Sequence, residues 1–344
     1  MTPALLALGL GAAGGLVFRE VGLPLPWMLG ALAANLLASL FGARPKMPAH
    51  LRAVMVGVLG LMLGSAFSPA MLEQVERWPA GMAAVLAYVL LGTGILALSF
   101  RRLAGYDPAT AYFSAAPGGL TEMILTGTAM GGDERTISLT HALRIVLVVF
   151  TVPFAFRLFG GYQGGGGGMP ASLGRLADLN ATDAAVLAAC AVAGHLAARA
   201  IRMPAAALTG PMLASAALHL SGLTESHPPA ELVAAAQVVV GAAIGARFAT
   251  IRKEGIAREA LAAIAATALL LALTLGLAWA TADLSGLPLA VLILALAPGG
   301  LAEICLIAVA LPADVAFVSA HPFARIVLGV MPAPWAFRLL RRGS

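Results

Sequence analysis

Long apolar runs separated by short polar segments dominate the chain, and their lengths predict helices that cross a membrane. Roughly 20 apolar residues span a bilayer as a helix, whereas the strands of a membrane barrel alternate in polarity over about ten residues. The runs in this chain are continuous, which favours helices. Eight of them lie at 4–17, 24–42, 50–67, 79–100, 182–198, 204–221, 231–248 and 259–281. The pattern therefore predicts an all-α polytopic membrane protein.

Two further apolar stretches, 108–131 and 288–311, are interrupted by Pro117-Gly118-Gly119 and Pro298-Gly299-Gly300. Proline removes a helical hydrogen bond and glycine disfavours the helix, so each stretch is predicted to form two short half-helices. We interpret each pair as a re-entrant hairpin, although a broken helix that crosses the whole membrane is the alternative. The last crossing of each half is predicted at 134–157 and 315–338.

The chain is one unit written twice. The heptapeptide Ala116–Glu122 recurs 181 residues later as Ala297–Glu303, and the same offset relates Arg144 to Arg325. Self-similarity on this scale is the signature of an internal repeat. We therefore divide the chain, as one structural unit, into membrane repeat 1 (1–159), a glycine-rich external linker (160–180) and membrane repeat 2 (181–344).

The charges of the loops indicate that the two repeats have opposite orientations. The loop after the second helix carries Arg44, Lys46 and Arg52 in repeat 1, but Glu225 and Glu231 in repeat 2. Because basic loops face the cytoplasm, this reversal predicts inverted repeats of about five helices each. It also places both termini in the cytoplasm and predicts a multi-pass protein of the bacterial inner membrane.

The composition excludes several classes of protein. Hydrophobic residues make up 60% of the 344 residues and charged residues 11%, whereas soluble domains have about 45–50% and about 25%. A soluble enzyme, a disordered chain and a secreted disulfide scaffold are therefore excluded. The basic residues that produce the net charge of +5 lie at helix ends, where they signal topology, so no nucleic-acid partner is expected.

The interrupted stretches are the candidate binding site. Irregular backbone at membrane depth is tolerated where it lines a cavity, and a half-helix points its N–H groups and positive dipole end into that cavity. Paired broken helices of this kind form the sites of secondary transporters. The predicted substrate-binding residues at the two breaks are Pro117, Gly118, Gly119, Pro298, Gly299 and Gly300.

Charged residues near the breaks leave several roles open. Glu122 and Glu303 either cap the half-helices or form a cation or proton site, because carboxylates within a membrane are usually functional. Arg144 and Arg325 either bind a substrate carboxylate or serve as counter-ions to the two glutamates. The histidines near these arginines, His141 and His321, either shuttle protons or lie hydrogen-bonded in the core.

The doubled Ala-Pro-Gly-Gly-Leu-x-Glu motif, followed in each repeat by a histidine and an arginine, resembles the AbrB family of membrane proteins. The resemblance covers essentially the whole chain, and it implies a duplicated, multi-helix protein of the bacterial inner membrane. Members are labelled regulators of aidB expression or ammonia monooxygenases, and they are unrelated to the small DNA-binding regulator of the same name. The sequence has neither a DNA-binding domain nor a recognisable monooxygenase metal site.

We therefore predict a secondary active transporter of a small organic anion, coupled to protons or sodium, that works by alternating access at a midplane site. Glu122, Glu303, His141 and His321 are the predicted ion-coupling residues, and Arg144 and Arg325 bind substrate. The expected partners are this substrate and the lipid bilayer, with a homodimer left open. We expect no enzymatic activity, no metal and no cofactor. The alternative is a membrane sensor or regulatory protein that binds a small ligand without transporting it.

Overall fold

The structure is a computed structural model that describes residues 2–69, 75–159, 173–250, 257–311 and 313–342. Within these ranges every regular element is helical, which confirms the all-α prediction. Most of the predicted linker, residues 160–172, lies outside the described residues. The α-helices of the described ranges are α1 Pro3–Glu20, α2 Pro26–Leu40, α3 Ala49–Gly64, α4 Trp78–Arg102, α5 Pro108–Ala115, α6 Leu120–Ala129, α7 Glu134–Phe159, α8 Ala181–Ala200, α9 Ala206–Leu220, α10 Ala230–Ala246, α11 Ala257–Ser285, α12 Leu289–Leu296, α13 Leu301–Ala310, α14 Val315–Val330 and α15 Ala333–Arg342.

The interrupted stretches fold as short helices on either side of each Pro-Gly-Gly. α5 ends at Ala115 and α6 begins at Leu120, while α12 ends at Leu296 and α13 begins at Leu301. One predicted helix differs: the stretch 315–338 consists of α14 and α15, which meet at a bend of 44°. Pro332 lies at the bend, and its ring and missing N–H prevent the helix from continuing straight.

Within the described residues, six helices are long and apolar enough to cross a membrane, and α14 with α15 forms a seventh if the bent pair is one span. The six lie at Pro3–Glu20, Val75–Arg102, Glu134–Phe159, Ala181–Ala200, Ala230–Thr250 and Ala257–Ser285. Large apolar side chains on them, such as Leu90 and Trp279, are exposed. Because exposed apolar surface on this scale suits lipid rather than water, these helices indicate a membrane protein. The ten crossings of the sequence analysis stay a prediction, since α2, α3 and α9 are shorter.

The described residues divide into two compact units. Unit 1 contains Met1–Gln74, Phe150–Thr250 and Cys305–Ala316, and unit 2 contains Val75–Val149, Ile251–Ile304 and Phe317–Ser344. Each unit therefore draws helices from both repeats.

In unit 1, the helices of one repeat pack on those of the other in two matched contacts. A Cβ at Gly60 of α3 would collide with the carbonyl oxygen of Leu208 in α9, and a Cβ at Gly241 of α10 would collide with that of Met28 in α2. Glycine permits backbones to approach this closely. The same contact is thus made twice, with the two repeats exchanging roles.

The residues that precede α2 and α9 give a second sign of the duplication. Leu25 and Ala205, which lie 180 residues apart, both adopt the left-handed conformation, with φ values of 44° and 52°. This conformation is unfavourable for residues other than glycine. Its recurrence at matched positions shows that the two repeats share an unusual local backbone as well as a sequence pattern.

Candidate functional site

The chain between the half-helices of unit 2 is extended. Ala116 has φ −57° and ψ 131°, Ala297 has φ −56° and ψ 136°, and Gly119 has φ −62° and ψ 135°. An extended link leaves the last carbonyl groups of the first half-helix and the first N–H groups of the second without helical partners. We call residues 116–119 and 297–300 the first and second breaks.

The glycines of the breaks are required for space. A Cβ at Gly118 would lie within 3 Å of the Met123 side chain, and one at Gly119 would collide with the Glu122 carboxylate. The second break repeats both contacts, since Gly299 faces Ile304 and Gly300 faces the Glu303 carboxylate. The Ala-Pro-Gly-Gly-Leu-x-Glu motif therefore encodes an extended link with room for a glutamate to fold back over it.

Glu122 and Glu303 occupy the third position of α6 and α13, and their carboxylates lie against the glycine that precedes each helix. A glutamate at this position reaches back to the start of its own helix in a capping box. Glu122 is half-buried, whereas Glu303 is only 6% exposed. The geometry supports the capping interpretation, and a role in ion coupling stays a prediction.

Both arginines bind the carbonyl ends of the first half-helices. Arg144 Nη2 donates to the Ser114 carbonyl at 2.6 Å. Arg325 Nη2 donates to the Gly299 carbonyl at 2.6 Å, and its Nη1 donates to the carbonyls of Ala297 and, at 3.4 Å, Leu296. Since a helix C-terminus carries partial negative charge, the two buried guanidinium groups stabilise the ends of α5 and α12.

The final helix of each repeat contacts both breaks. α7 binds the first break through Arg144, and one turn later Val148 Cγ1 lies 3.2 Å from the position a Cβ would take at Gly299. α14 binds the second break through Arg325, and one turn later Gly329 lies so close to the Pro117 carbonyl that a Cβ would collide with it. The structure thus brings the predicted site residues of both repeats together within unit 2.

Sequence reasoning missed Tyr88 of α4 and Thr274 of α11. Tyr88 is fully buried and lies within electrostatic range of both Arg144 and Arg325, with Thr274 near its hydroxyl. The Thr274 hydroxyl donates to the Leu270 carbonyl of its own helix at 2.9 Å. A tyrosine in the middle of an apolar span was the available signal, because the chain has only four tyrosines.

Ser114 and Thr140 were also missed. Both side chains are buried, and neither hydroxyl has a hydrogen-bond partner among the described residues, nor does Arg144 Nε. Thr140 lies one helical turn before Arg144, and Ser114 supplies the carbonyl that Arg144 binds. The signal for Thr140 was its spacing of four residues from a membrane arginine.

The two histidines have different surroundings. His141 Nε2 lies 2.8 Å from the Phe113 carbonyl in α5, so it donates the hydrogen bond. His321 Nδ1 instead donates to the Phe317 carbonyl of its own helix at 2.7 Å. His321 precedes Arg325 by four residues, while His141 precedes Arg144 by three, and this extra residue turns the two rings toward different neighbours. Across the described residues, no group of three or more metal-ligating side chains could hold a metal ion.

The start of α5 lies beside the loop that follows α6. The Asp133 backbone N–H donates to the Thr110 hydroxyl at 2.7 Å. In the loop before α5, Tyr106 is within electrostatic range of Asp133 and of Glu259 at the start of α11. Burial and the negative charge of Glu259 raise the pKa of Tyr106 to about 12. After α5 and α6, the chain has therefore returned to the place where α5 began.

Comparisons with known proteins agree over nearly the whole chain. A family model described as "Transition state regulatory protein AbrB" matches residues 27–341. "Uncharacterized protein YhjN" of Bacillus subtilis (strain 168) is 28% identical over 354 residues, which cover 97% of this chain and 92% of that protein. "Putative regulator AbrB" of Escherichia coli (strain K12) is 25% identical over 334 residues, which cover 94% and 92%. The resemblance carried by the doubled motif is thereby confirmed, and the chain belongs to the AbrB family.

Proposed function

We propose that this protein is a secondary active transporter of a small organic anion, with its site between the two breaks. The observation that carries the proposal is the double contact made by α7 and α14, each of which binds one break and touches the other. Two broken helices that meet inside a membrane form the recurring site of secondary transporters.

The charge of the site favours an anion. Arg144 and Arg325 are buried at the breaks, and α6 and α13 begin there with their positive dipole ends. Glu122 and Glu303 lie against the same links, so they are suited to take up a proton or sodium ion that accompanies the substrate. We propose neither an enzymatic activity nor a resident cofactor.

The proposed architecture is a pair of inverted repeats, each with a re-entrant hairpin. The exchanged contacts of Gly60 and Gly241 are what a two-fold relation between the repeats produces. The contact between Thr110 and Asp133 supports a hairpin that enters and leaves the membrane on one side. With basic loops inside, both termini face the cytoplasm of a bacterial inner membrane.

Flux into proteoliposomes tests the proposal. The vesicles enclose a pH-sensitive dye and are challenged with a panel of small organic acids and amines, with and without sodium. We expect an acid-dependent pH signal that is lost in the double variant Glu122→Gln and Glu303→Gln. Glu134→Gln, at an exposed position at the start of α7, is the matched control and keeps the signal. Silence across the panel from folded protein would contradict transport.

The second candidate is a membrane sensor that binds a ligand without moving it. It is favoured by the name of the Escherichia coli relative, "Putative regulator AbrB". Saturable binding of an acid from the panel, without any flux of that acid, would support the sensor over the transporter.

A further inference from the structure

The two matched arginines are not equivalent. Arg325 donates to three carbonyl groups around the second break, whereas the printed partner of Arg144 is the Ser114 carbonyl alone. The Nε of Arg144 is buried and has no hydrogen-bond partner among the described residues. Arg144 therefore retains a charged donor for a further group, even though it is only 5% exposed.

Two buried hydroxyl groups accompany Arg144. Those of Ser114 and Thr140 lack partners in the described part of the chain, although both side chains are at most 1% exposed. Leaving a buried hydroxyl without a hydrogen bond is unfavourable, so three such donors on neighbouring residues indicate a ligand that accepts hydrogen bonds. Tyr88, within electrostatic range of Arg144, places a phenol in the same neighbourhood.

The second repeat lacks these donors. At the offset of 181 residues, Ala295 corresponds to Ser114, Leu269 to Tyr88 and His321 to Thr140. The hydroxyl groups around Arg144 thus belong to one repeat only. A carboxylate suits them, because its two oxygens accept up to four hydrogen bonds and its charge complements the guanidinium group.

We propose that Arg144, Ser114 and Thr140 bind the carboxylate group of the organic anion, while Arg325 holds the second break together. The assignment rests on the proposed function for the identity of the substrate. Binding of a carboxylate at this place is testable without transport.

The test is the thermal unfolding midpoint of the purified full chain in detergent, titrated with sodium acetate or sodium benzoate. Sodium chloride at equal ionic strength and pH is the reference. We expect a saturable rise in the midpoint with at least one carboxylate. Ser114→Ala and Thr140→Val should each raise the half-saturating concentration about tenfold, and Arg144→Gln should abolish the rise. Thr267→Val is the matched control, because the Thr267 hydroxyl is already bound to the Ala263 carbonyl, and it should titrate like the unsubstituted protein.

The hydroxyl variants keep the assignment falsifiable if Arg144→Gln does not fold. No saturable rise with either carboxylate, an equal rise with chloride, or unchanged titration of Ser114→Ala and Thr140→Val would overturn it. Carboxylate binding that depends on these residues, in a protein without flux, would support the assignment and contradict transport. Flux that survives both hydroxyl variants would leave the transporter standing and overturn this site.

Discussion

Unit 1 and unit 2 treat the internal duplication differently. In unit 1, the contacts of Gly60 and Gly241 with the opposite repeat are equivalent, and so are the backbone conformations of Leu25 and Ala205. In unit 2 the breaks are equivalent in backbone, but the polar side chains around Arg144 and Arg325 differ. The difference teaches that close packing of glycines is needed twice, whereas a site for one ligand needs its donors only once.

The largest expected effect comes from breaking a matched contact of unit 1. In Gly241→Val, the added side chain collides with the Met28 carbonyl, and we expect a loss of stability of about 3 kcal/mol or more, or no folded protein. Gly60→Val should be equally damaging, because Leu208 stands in the place of Met28. The yield and thermal midpoint of detergent-purified protein measure both.

Gly276→Ala is the control for these variants, since a Cβ there would meet nothing within 4 Å. It should be neutral or stabilising by about 0.5–1 kcal/mol through helix propensity. Normal yield of Gly241→Val would contradict the close approach of α10 and α2.

The next effect separates the two arginines. Arg325→Gln removes the donors of three carbonyl groups and should cost about 3 kcal/mol, while Arg144→Gln removes one printed bond and should cost about half as much. Thermal midpoints without ligand give the comparison. Equal losses of stability would contradict the asymmetry of unit 2.

A smaller effect compares the two glutamates. Gly119→Ala pushes aside the half-buried Glu122 carboxylate, whereas Gly300→Ala displaces the buried Glu303 and should cost more, about 2 kcal/mol against about 1 kcal/mol. Adding Glu122→Ala to Gly119→Ala removes the collision. The two changes should then cost less together than the sum of their separate effects, as a double-mutant cycle of unfolding free energies measures. Strict additivity would show that the carboxylate does not lie over the glycine.

The smallest effect is a pH dependence in unit 1. The His227 ring lies 5.6 Å from that of His219, and burial, together with His219, lowers the pKa of His227, while Glu225 opposes the shift. An unfolded histidine binds a proton near pH 6.5, so the unfolded state gains protons first and stability falls as the pH drops below about 6.5. Thermal midpoints between pH 5 and pH 8 should show this fall reduced in His227→Gln. An identical pH profile in that variant would assign the dependence elsewhere.

The ends of the helices and the breaks could be predicted because they depend on local sequence. Pro117-Gly118-Gly119 ends one helix and starts another whatever surrounds it, and the structure places α5 and α6 accordingly. The bend at Pro332 carried the same type of signal, but the apolar run around it suggested a single crossing.

The partners of the site residues could not be predicted from local sequence. Arg144 binds a carbonyl 30 residues earlier in the chain, and Gly329 meets Pro117 from the other repeat. Such contacts depend on how helices from distant parts of the chain approach one another. The conservation of the offset identified which residues correspond, but it did not indicate that Arg325 would be occupied by backbone carbonyls.

The exchange of contacts between α3 and α9 and between α10 and α2 has an evolutionary consequence. In an isologous dimer, residue i of one subunit contacts residue j of the other, and the reverse contact follows by symmetry. Gly60 with Leu208 and Gly241 with Met28 preserve that relation inside a single chain. Their ancestor was therefore a half-length polypeptide that paired with itself, and a gene cut between codons 159 and 173 would restore two chains that complement each other when co-expressed.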